Sequence, residues 1–357
     1  MNAIDPEIDT ARAVLEQAWQ LTCPRLRSLV DQLAEPLRVV AGYHFGWCDA
    51  TGRPAAANPG KGVRGALAIA SALAVGGVET DALPAAVATE LIHNFSLLHD
   101  DIMDEDTQRR GRPSAWAVFG RAQAILAGDA LLTLAFAAAG EGRDTSARRS
   151  ITTELTTALV DVVNGQSADL AYEGRMDIGP EQWRTMATGK TAALFGLACS
   201  LGGGAVTADP ARVRALRTFG RHLGLAFQLV DDVAGLVGDA DRLGKPVGGD
   251  IVRRKKSAPV VRVLHSDPEL AAVLSSVYTR AAAPSPDEAA ELVDSIVRSG
   301  AVDWALAEAD RYRAAALAEL DAVSIDSRAR GGLETMADLA VRWDRLPRLE
   351  RGHPVGG

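Results

Sequence analysis

LLHDDIMDEDTQRRGRP, residues 97–113, sets a run of acids (Asp100, Asp101, Asp104, Glu105, Asp106) directly ahead of a run of arginines (Arg109, Arg110, Arg112). The segment leading into it, residues 85–98, is strongly apolar, which points to a core helix that carries its acids out of the bundle rather than to a solvated charged loop. On such a helix Asp100 and Asp104 stand at i and i+4, about 6 Å apart on one face. Carboxylates so placed repel one another when empty and can share hard divalent cations. Mg²⁺ held by one or two carboxylates completes its octahedron with water and phosphate oxygens, so a diphosphate is the natural ligand. Arginines a few residues on, held by a Gly-Pro turn, can close on the same oxygens with a bidentate geometry that lysine lacks.

The 357 residues around this stretch are 47% hydrophobic and 24% charged, an ordinary composition for a globular protein with ample material for a core. A net charge of −8 argues against nucleic acid as the main partner. Cys23, Cys48 and Cys199 have no metal-ligand spacing and suggest no disulfide framework, which fits a reducing cytoplasm. The opening MNAIDPEIDTARA has no basic-then-apolar signal, and the apolar run 66–78 is too short to span a bilayer, so a cytoplasmic chain without a transmembrane segment is expected.

Alanine- and leucine-rich segments with helical spacing recur along the chain. They predict helices over 10–34, 36–48, 63–75, 84–104, 114–139, 145–173, 180–202, 209–238, 252–264, 268–281, 285–299, 301–322 and 326–345. Strand-like alternation is scarce, so the expected fold class is all-α, a single large helical bundle with a central apolar cavity. One domain over 10–348 is expected, with flexible tails at 1–9 and 349–357.

Other stretches repeat the theme of anion and cation sites set in apolar helices. NPGKGVRGAL (58–67) puts Lys61 and Arg64 at a helix start, where free backbone N–H groups favour anions. TGKTAAL (188–194) sets Lys190 and Thr191 in an apolar helix, and NGQSADL (164–170) aligns Gln166 with Asp169. In FQLVDDVAGLVGD (227–239), Gln228, Asp231 and Asp232 share a helical face; paired aspartates there are costly unless metal or cations neutralise them. Lys245 and the basic run 253–256 follow. Two acidic pairs, each followed by cations, describe a two-sided cage for one polyphosphate.

In order and spacing, DDIMD with RRGRP and FQLVDDVAGLVGDADRLGKPVGGD resemble the first and second aspartate-rich motifs of the trans-isoprenyl diphosphate synthases, the polyprenyl synthetase family. The likeness runs from about Lys61 to Lys256. It implies an isoprenoid synthase fold and a Mg²⁺-dependent prenyltransferase that joins isopentenyl diphosphate to an allylic diphosphate, dimethylallyl, geranyl or farnesyl. Residue by residue, it implies that Asp100 and Asp104, supported by Asp101, hold two Mg²⁺, and that Asp231, with Asp232 near it, holds a third; Mn²⁺ can substitute. Arg109, Lys190 and Lys245 would grip the allylic diphosphate. Lys61, Arg64, His93 and Arg110 would hold isopentenyl diphosphate, Thr191 and Gln228 would line the reacting centre, and Phe227 would pack beside the incoming isopentenyl group. A homodimer is also implied.

The chain departs from the family pattern at Gly62 and Gly65, where an Arg and a Pro are usual, and at Gly235, where the second motif usually ends in a third Asp. Asp239 lies too far along the helix to replace it. Phe95 and Ser96, five and four residues before Asp100, form the first floor beneath a growing product. In the family that the chain resembles, a small residue at the fourth position leaves room for one more isoprene unit, so the resemblance implies geranylgeranyl diphosphate (C20), with farnesyl diphosphate (C15) the alternative. A class I terpene cyclase is a rival that shares the aspartate-rich helix, but it would carry an Asn/Asp, Ser, Glu triad in place of the second motif and would not need Lys61, Arg64 and Arg110. A non-catalytic subunit of a synthase assembly, docking through the tails, is the third reading.

Overall fold

The computed structural model describes residues 6–141, 145–237, 248–326 and 329–342. Its helices are α1 (Pro6–Val30), α2 (Leu37–His44), α3 (Val63–Ala74), α4 (Leu83–Met103), α5 (Ala115–Phe119), α6 (Arg121–Ala139), α7 (Thr145–Tyr172) and α8 (Pro180–Ala187). They continue with α9 (Ala193–Gly204), α10 (Pro210–Val237), α11 (Gly249–Val252), α12 (Ala258–Ser266), α13 (Pro268–Tyr278), α14 (Pro286–Arg298), α15 (Ala301–Asp321) and α16 (Arg330–Ala340). The all-α expectation holds.

The differences from the sequence reading have local causes. The helix expected over 114–139 is two, parted at Gly120, and the one expected over 180–202 is interrupted by a π turn at Thr188–Ala192. Helix α1 already begins at Pro6, so residues 6–9 are not the tail expected of them. Clear boundary signals are honoured: the Ser285 hydroxyl accepts from the Glu288 amide at 3.2 Å while Glu288 accepts from the Ser285 amide at 3.0 Å, a capping box at the start of α14. The acid-to-arginine turn contains the one sheet among the described residues, a hairpin of β1 (Gln108–Arg109) and β2 (Arg112–Pro113). Arg110 and Gly111 at its tip have φ of 56° and 81°, the pair of left-handed residues that a two-residue type I′ turn demands.

Two apolar clusters form the core. One gathers Leu15, Leu26, Leu67, Leu91, Leu98, Leu131 and Phe195; the other gathers Trp183, Val230, Val260, Leu274 and Ile296. Helix α10 serves both, with Phe219 and Leu223 in the first and Leu229 and Val233 in the second. Burying a Leu or Phe side chain contributes about 1.5–3 kcal/mol, so α4 and α10 are fixed along most of their length and the position of their acids is set by the core. Among the described residues one helix, α6, is long and apolar enough to cross a membrane by length and composition, with 19 residues at mean hydropathy 1.6. It packs along α4, buries Ala124, Leu131 and Ala135, and leaves Ile125 and Leu126 exposed.

Candidate active site

Helix α4 delivers the first acidic motif. Its last residue is Met103, and Asp104 caps it with an amide that donates to the Asp100 carbonyl at 2.8 Å, so the helical i, i+4 relation of the two carboxylates survives to the end. Burial first, and Asp104 beside it, push the Asp100 carboxyl up to about 6 against the pull of Lys190, Arg109 and Lys255. Asp104 goes the other way: burial alone would raise it, but Lys255 and Lys190 outweigh that and hold it below the usual carboxylate range. The Lys255 ammonium donates to Asp104 Oδ2 at 2.8 Å, and the other oxygen, Oδ1, is buried with no hydrogen-bond partner.

Asp101 lies on the opposite side of the same turn and does different work. It is 1% exposed and accepts from Arg109 through both Nε, at 2.8 Å, and Nη2. Arg109 also approaches Asp106 at 3.7 Å, and Asp106 accepts from Arg253 at 2.7 Å. Asp101 thus anchors Arg109 through Oδ1, while its Oδ2 is buried with no hydrogen-bond partner.

The hairpin aims its two leading arginines apart. Arg110 donates to the His44 carbonyl at 3.3 Å and to Asn94 Oδ1 at 3.1 Å, the same oxygen that lies 3.1 Å from His44 Nε2. Arg64, at the start of α3, lies over the Phe195 ring at 4.9 Å with its Nε buried and unpartnered. Burial pushes both Arg64 and Arg110 down to about 10. His93 and His44 are held well below the ordinary histidine value by burial and then by these arginines, so both rings are neutral near pH 7. Glu90, 3% exposed and accepting from the Gly65 amide at 2.9 Å, supplies the balancing charge. Gly62 has φ of 67°, a left-handed position where the arginine usual in the family would cost about 1–2 kcal/mol.

The far wall is α7, the π turn and α10. Lys190 donates to Asp169, one turn beyond Gln166 on α7. The two segments touch backbone to backbone: a Cβ on Gly165 would lie 2.0 Å from the Lys190 amide nitrogen. A π turn inside a helix often marks a functional position, and this one brings Thr191 Oγ1 within 2.5 Å of Gln228 Oε1. Gln228 in turn donates to Asp232 Oδ1 at 2.7 Å, while Asp232 Oδ2 accepts from Trp183 Nε1 at 2.9 Å and the Ala258 amide at 2.6 Å. Asp232 is 7% exposed, and burial pushes it up to about 8; it is a satisfied anchor between α10, α8 and α12, not an open ligand as the sequence suggested. Asp231 is exposed and makes no hydrogen bond or ion pair among the described residues. Phe227 packs on Phe195 with ring centroids 5.3 Å apart.

Lys245 lies outside the described residues, as does Asp239. The basic run after it takes two roles that its sequence did not separate: Lys255 faces Asp104, whereas Lys256 is buried over the Tyr278 ring at 4.7 Å. Glu90, Asn94 and His44 were not legible as site residues; the placing of Glu90 three residues before His93 and of Asn94 directly after it was the available signal. Near the floor, Phe95 is 8% exposed and packs edge-on to His99 at 4.8 Å, while Ser96 donates to the His93 carbonyl at 2.9 Å.

The donor set suits a hard divalent cation: carboxylates one turn apart at the end of α4, one with an orphaned buried oxygen, and an exposed carboxylate, Asp231, on α10. Among the described residues no group of three or more ligating side chains surrounds a single point, which fits Mg²⁺, since that ion takes most of its ligands from water and phosphate.

A helical bundle that sets the acids of α4 among half-buried lysines and arginines from distant parts of the chain defines a diphosphate-handling enzyme of the isoprenoid synthase fold. The polyprenyl synthetase family profile matches residues 46–296. The chain is 43% identical over 318 residues to a geranylgeranyl diphosphate synthase of Mycobacterium tuberculosis (strain ATCC 25618 / H37Rv), covering 88% of this chain and 90% of the relative. It is 40% identical over 333 residues to a (2E,6E)-farnesyl diphosphate synthase of Mycobacterium bovis, covering 92% of each. The crystal structure of a polyprenyl synthetase from Streptomyces coelicolor A3(2) superposes with a TM-score of 0.87 at 42% identity, covering 92% of this chain and 98% of that one. The chain belongs to the polyprenyl synthetase family, and its activity is that of a short-chain prenyl diphosphate synthase.

Proposed function

We propose that the enzyme joins isopentenyl diphosphate head to tail to an allylic diphosphate and releases geranylgeranyl diphosphate, with farnesyl diphosphate as the second reading. One juxtaposition carries the site assignment: Lys255 on Asp104 at 2.8 Å and Lys190 on Asp169. It gathers the acids of α4 and α7 with cations from distant parts of the chain, so charge of both signs surrounds one polar space. The C20 product is supported by Ser96, small and half-buried one turn below Asp100, and by the names of relatives, which cover both lengths.

Asp100 and Asp104 on one side and Asp231 on the other would hold about three Mg²⁺, for which Mn²⁺ substitutes. Bound metal supplies positive charge to the leaving diphosphate. The chain's own residues do the rest. Arg109, Lys190, Lys255 and Lys245 stabilise the negative charge that develops as the C1–O bond breaks. Arg64, Arg110, Lys61 and neutral His93 orient the isopentenyl diphosphate so that its double bond faces the allylic cation. The Thr191–Gln228 pair and Phe227 line that meeting point, and the apolar walls exclude water that would quench the cation to an alcohol. The departing diphosphate accepts the final proton, so no side-chain base is required.

The exposed apolar residues Ile125 and Leu126 on α6, with Val160 and Val163 on α7, 42%, 50%, 53% and 57% exposed, are offered as the face through which two copies form a homodimer. A cytoplasmic setting is supported by Cys23, Cys48 and Cys199, none of which is in a disulfide. Incubation with radiolabelled isopentenyl diphosphate and each allylic primer, followed by product chromatography, tests the proposal. A C20 diphosphate made only with Mg²⁺ or Mn²⁺ is expected; a hydrocarbon made without isopentenyl diphosphate would replace it with a cyclase, and no product at all would favour a non-catalytic subunit.

A further inference from the structure

Gly235 stands four residues after Asp231 on α10, the same step that separates Asp100 from Asp104 on α4. It has no side chain to offer, but the space is not empty. A Cβ built on Gly235 would lie 2.2 Å from Oδ2, 2.7 Å from Cγ and 3.0 Å from Oδ1 of Asp250. The carboxylate of Asp250 thus rests on the Gly235 backbone, where a side chain at that position would begin.

The backbone holds it there. The Gly248 amide donates to the Leu236 carbonyl at 3.1 Å, fastening α11 to the end of α10, and the Lys255 amide donates to the Asp250 carbonyl at 2.9 Å. Both the carboxylate and the site lysine are therefore set by one short segment. Its charge is felt inside the site: after burial, Asp250 is among the groups that raise Asp232, and it helps hold Lys255 in its charged form. On a helix, side chains at i and i+4 have Cβ atoms about 5–6 Å apart, so a carboxylate lodged at the Cβ position of residue 235 lies about one helical turn from the Cβ of Asp231.

We infer that Asp250 completes the second acidic motif: its carboxylate, admitted by the missing side chain of Gly235, works with Asp231 to hold the divalent cation that bridges the substrate diphosphate. Glycine at 235 is then a requirement rather than a loss. Any side chain there displaces Asp250, and an aspartate there would duplicate its charge. The inference rests on the proposed metal-binding role of Asp231.

The test is a titration of the full-length enzyme with Mn²⁺ in the presence of inorganic diphosphate, followed by the electron paramagnetic resonance of free Mn²⁺, with thermal melts to confirm folding. Asp250→Asn, nearly isosteric, and Gly235→Ala, which places a Cβ where the carboxylate rests, should each weaken one class of Mn²⁺ sites by about tenfold or more. The exchange variant Gly235→Asp/Asp250→Gly, which moves the carboxylate onto the helix, should recover most of that affinity and decides the matter if a single variant fails to fold. Unchanged Mn²⁺ binding in Asp250→Asn, or an exchange variant that folds but does not recover, would overturn the inference if Asp231→Ala weakens binding in the same assay. If Asp231→Ala also binds normally, the underlying assignment of the metal site fails instead.

Discussion

The two acidic motifs look alike as sequence, an Asp-Asp pair near the end of an apolar helix, yet they are built differently. On α4 both outward carboxylates are half-buried and electrostatically occupied: Asp100 is pushed up to about 6 and Asp104 is paired with Lys255. On α10 the outward carboxylate, Asp231, is exposed and open. The second Asp of each pair serves as an anchor, Asp101 for Arg109 and Asp232 for Trp183 and the Ala258 amide, though Asp101 keeps one buried oxygen without a partner. Position within the motif therefore decides the role of each residue more than residue type does. Asp104 already carries a paired cation, whereas Asp231 has none among the described residues.

The largest expected effect breaks the comparison at its strong side. Asp100→Ala and Asp104→Ala should each lower kcat/KM by about 10³-fold or more, through loss of electrostatic stabilisation at a shared site. Steady-state kinetics with an allylic primer measures this, and near-normal turnover of Asp100→Ala would sink the assignment. Next in size are the cations. Lys190→Ala and Lys255→Ala should chiefly lower kcat, by about 10²-fold, if they face the leaving group as proposed. Arg110→Ala and Lys61→Ala should chiefly raise KM for isopentenyl diphosphate, and the reverse pattern would mean that the two diphosphates bind the other way round.

The anchoring role of the second aspartates predicts a smaller loss of a different kind. Asp232→Ala leaves Trp183 Nε1 and the Ala258 amide without an acceptor, a cost of about 1–3 kcal/mol for each buried group. Urea denaturation should show that loss whether or not metal is present, whereas Asp231→Ala should leave stability without metal unchanged. Equal stability of the Asp232 variant would return it to the ligand set.

Much of this was legible in the sequence, and the limits have physical reasons. Helix periodicity and capping chemistry are local, so fold class and most helix positions could be read directly. The helical i, i+4 relation likewise predicts that Asp100 and Asp104 share a face. The division of labour inside each Asp-Asp pair was not legible, because it depends on which side of the turn meets Arg109 or Trp183, and those partners come from a hairpin and another helix. Lys255 was hidden for the same reason: its role follows from a contact with Asp104, 151 residues away, and nothing in the run of basic residues distinguishes it from Lys256. The π turn at Thr188–Ala192 has no strong sequence signal, since each of its residues is compatible with an ordinary helix.

A pH effect sharpens the picture on the isopentenyl side. His44 and His93 are buried among Arg109, Arg110 and Arg64, and their folded-state pKa values lie well below the ordinary histidine value. Above the unfolded value of about 6.5 neither state carries the extra protons; below it the unfolded chain binds protons that the folded chain refuses, so stability falls as pH drops. Each histidine should contribute about 1.4 kcal/mol per pH unit in that window. Thermal melts from pH 8 to pH 5 should show a steepening loss, reduced in His93→Gln, and an unchanged slope in that variant would mean that the ring titrates freely.

The smallest effect in energy concerns the far end of α4, which has no counterpart on α10. On the proposed binding mode a product tied by its diphosphate at Asp100 and Asp104 extends toward the N-terminus of α4, where the helix rises about 1.5 Å per residue, which would make Ser96 and Phe95 the first side chains on its path. Ser96 is half-buried and turns its hydroxyl back to the His93 carbonyl at 2.9 Å, presenting little bulk. Phe95 is fixed edge-on against His99 at 4.8 Å, and a Cβ on Gly128 of α6 would lie 2.4 Å from the same imidazole, so the aromatic wall between chain and α6 cannot swing aside. Ser96→Phe should shorten the product by one isoprene unit and Phe95→Ala should lengthen it, with turnover of the first condensation little altered. Chromatography of the dephosphorylated products reads both changes. If neither moves the distribution, the floor lies deeper on α4 at Leu91 or on a neighbouring helix.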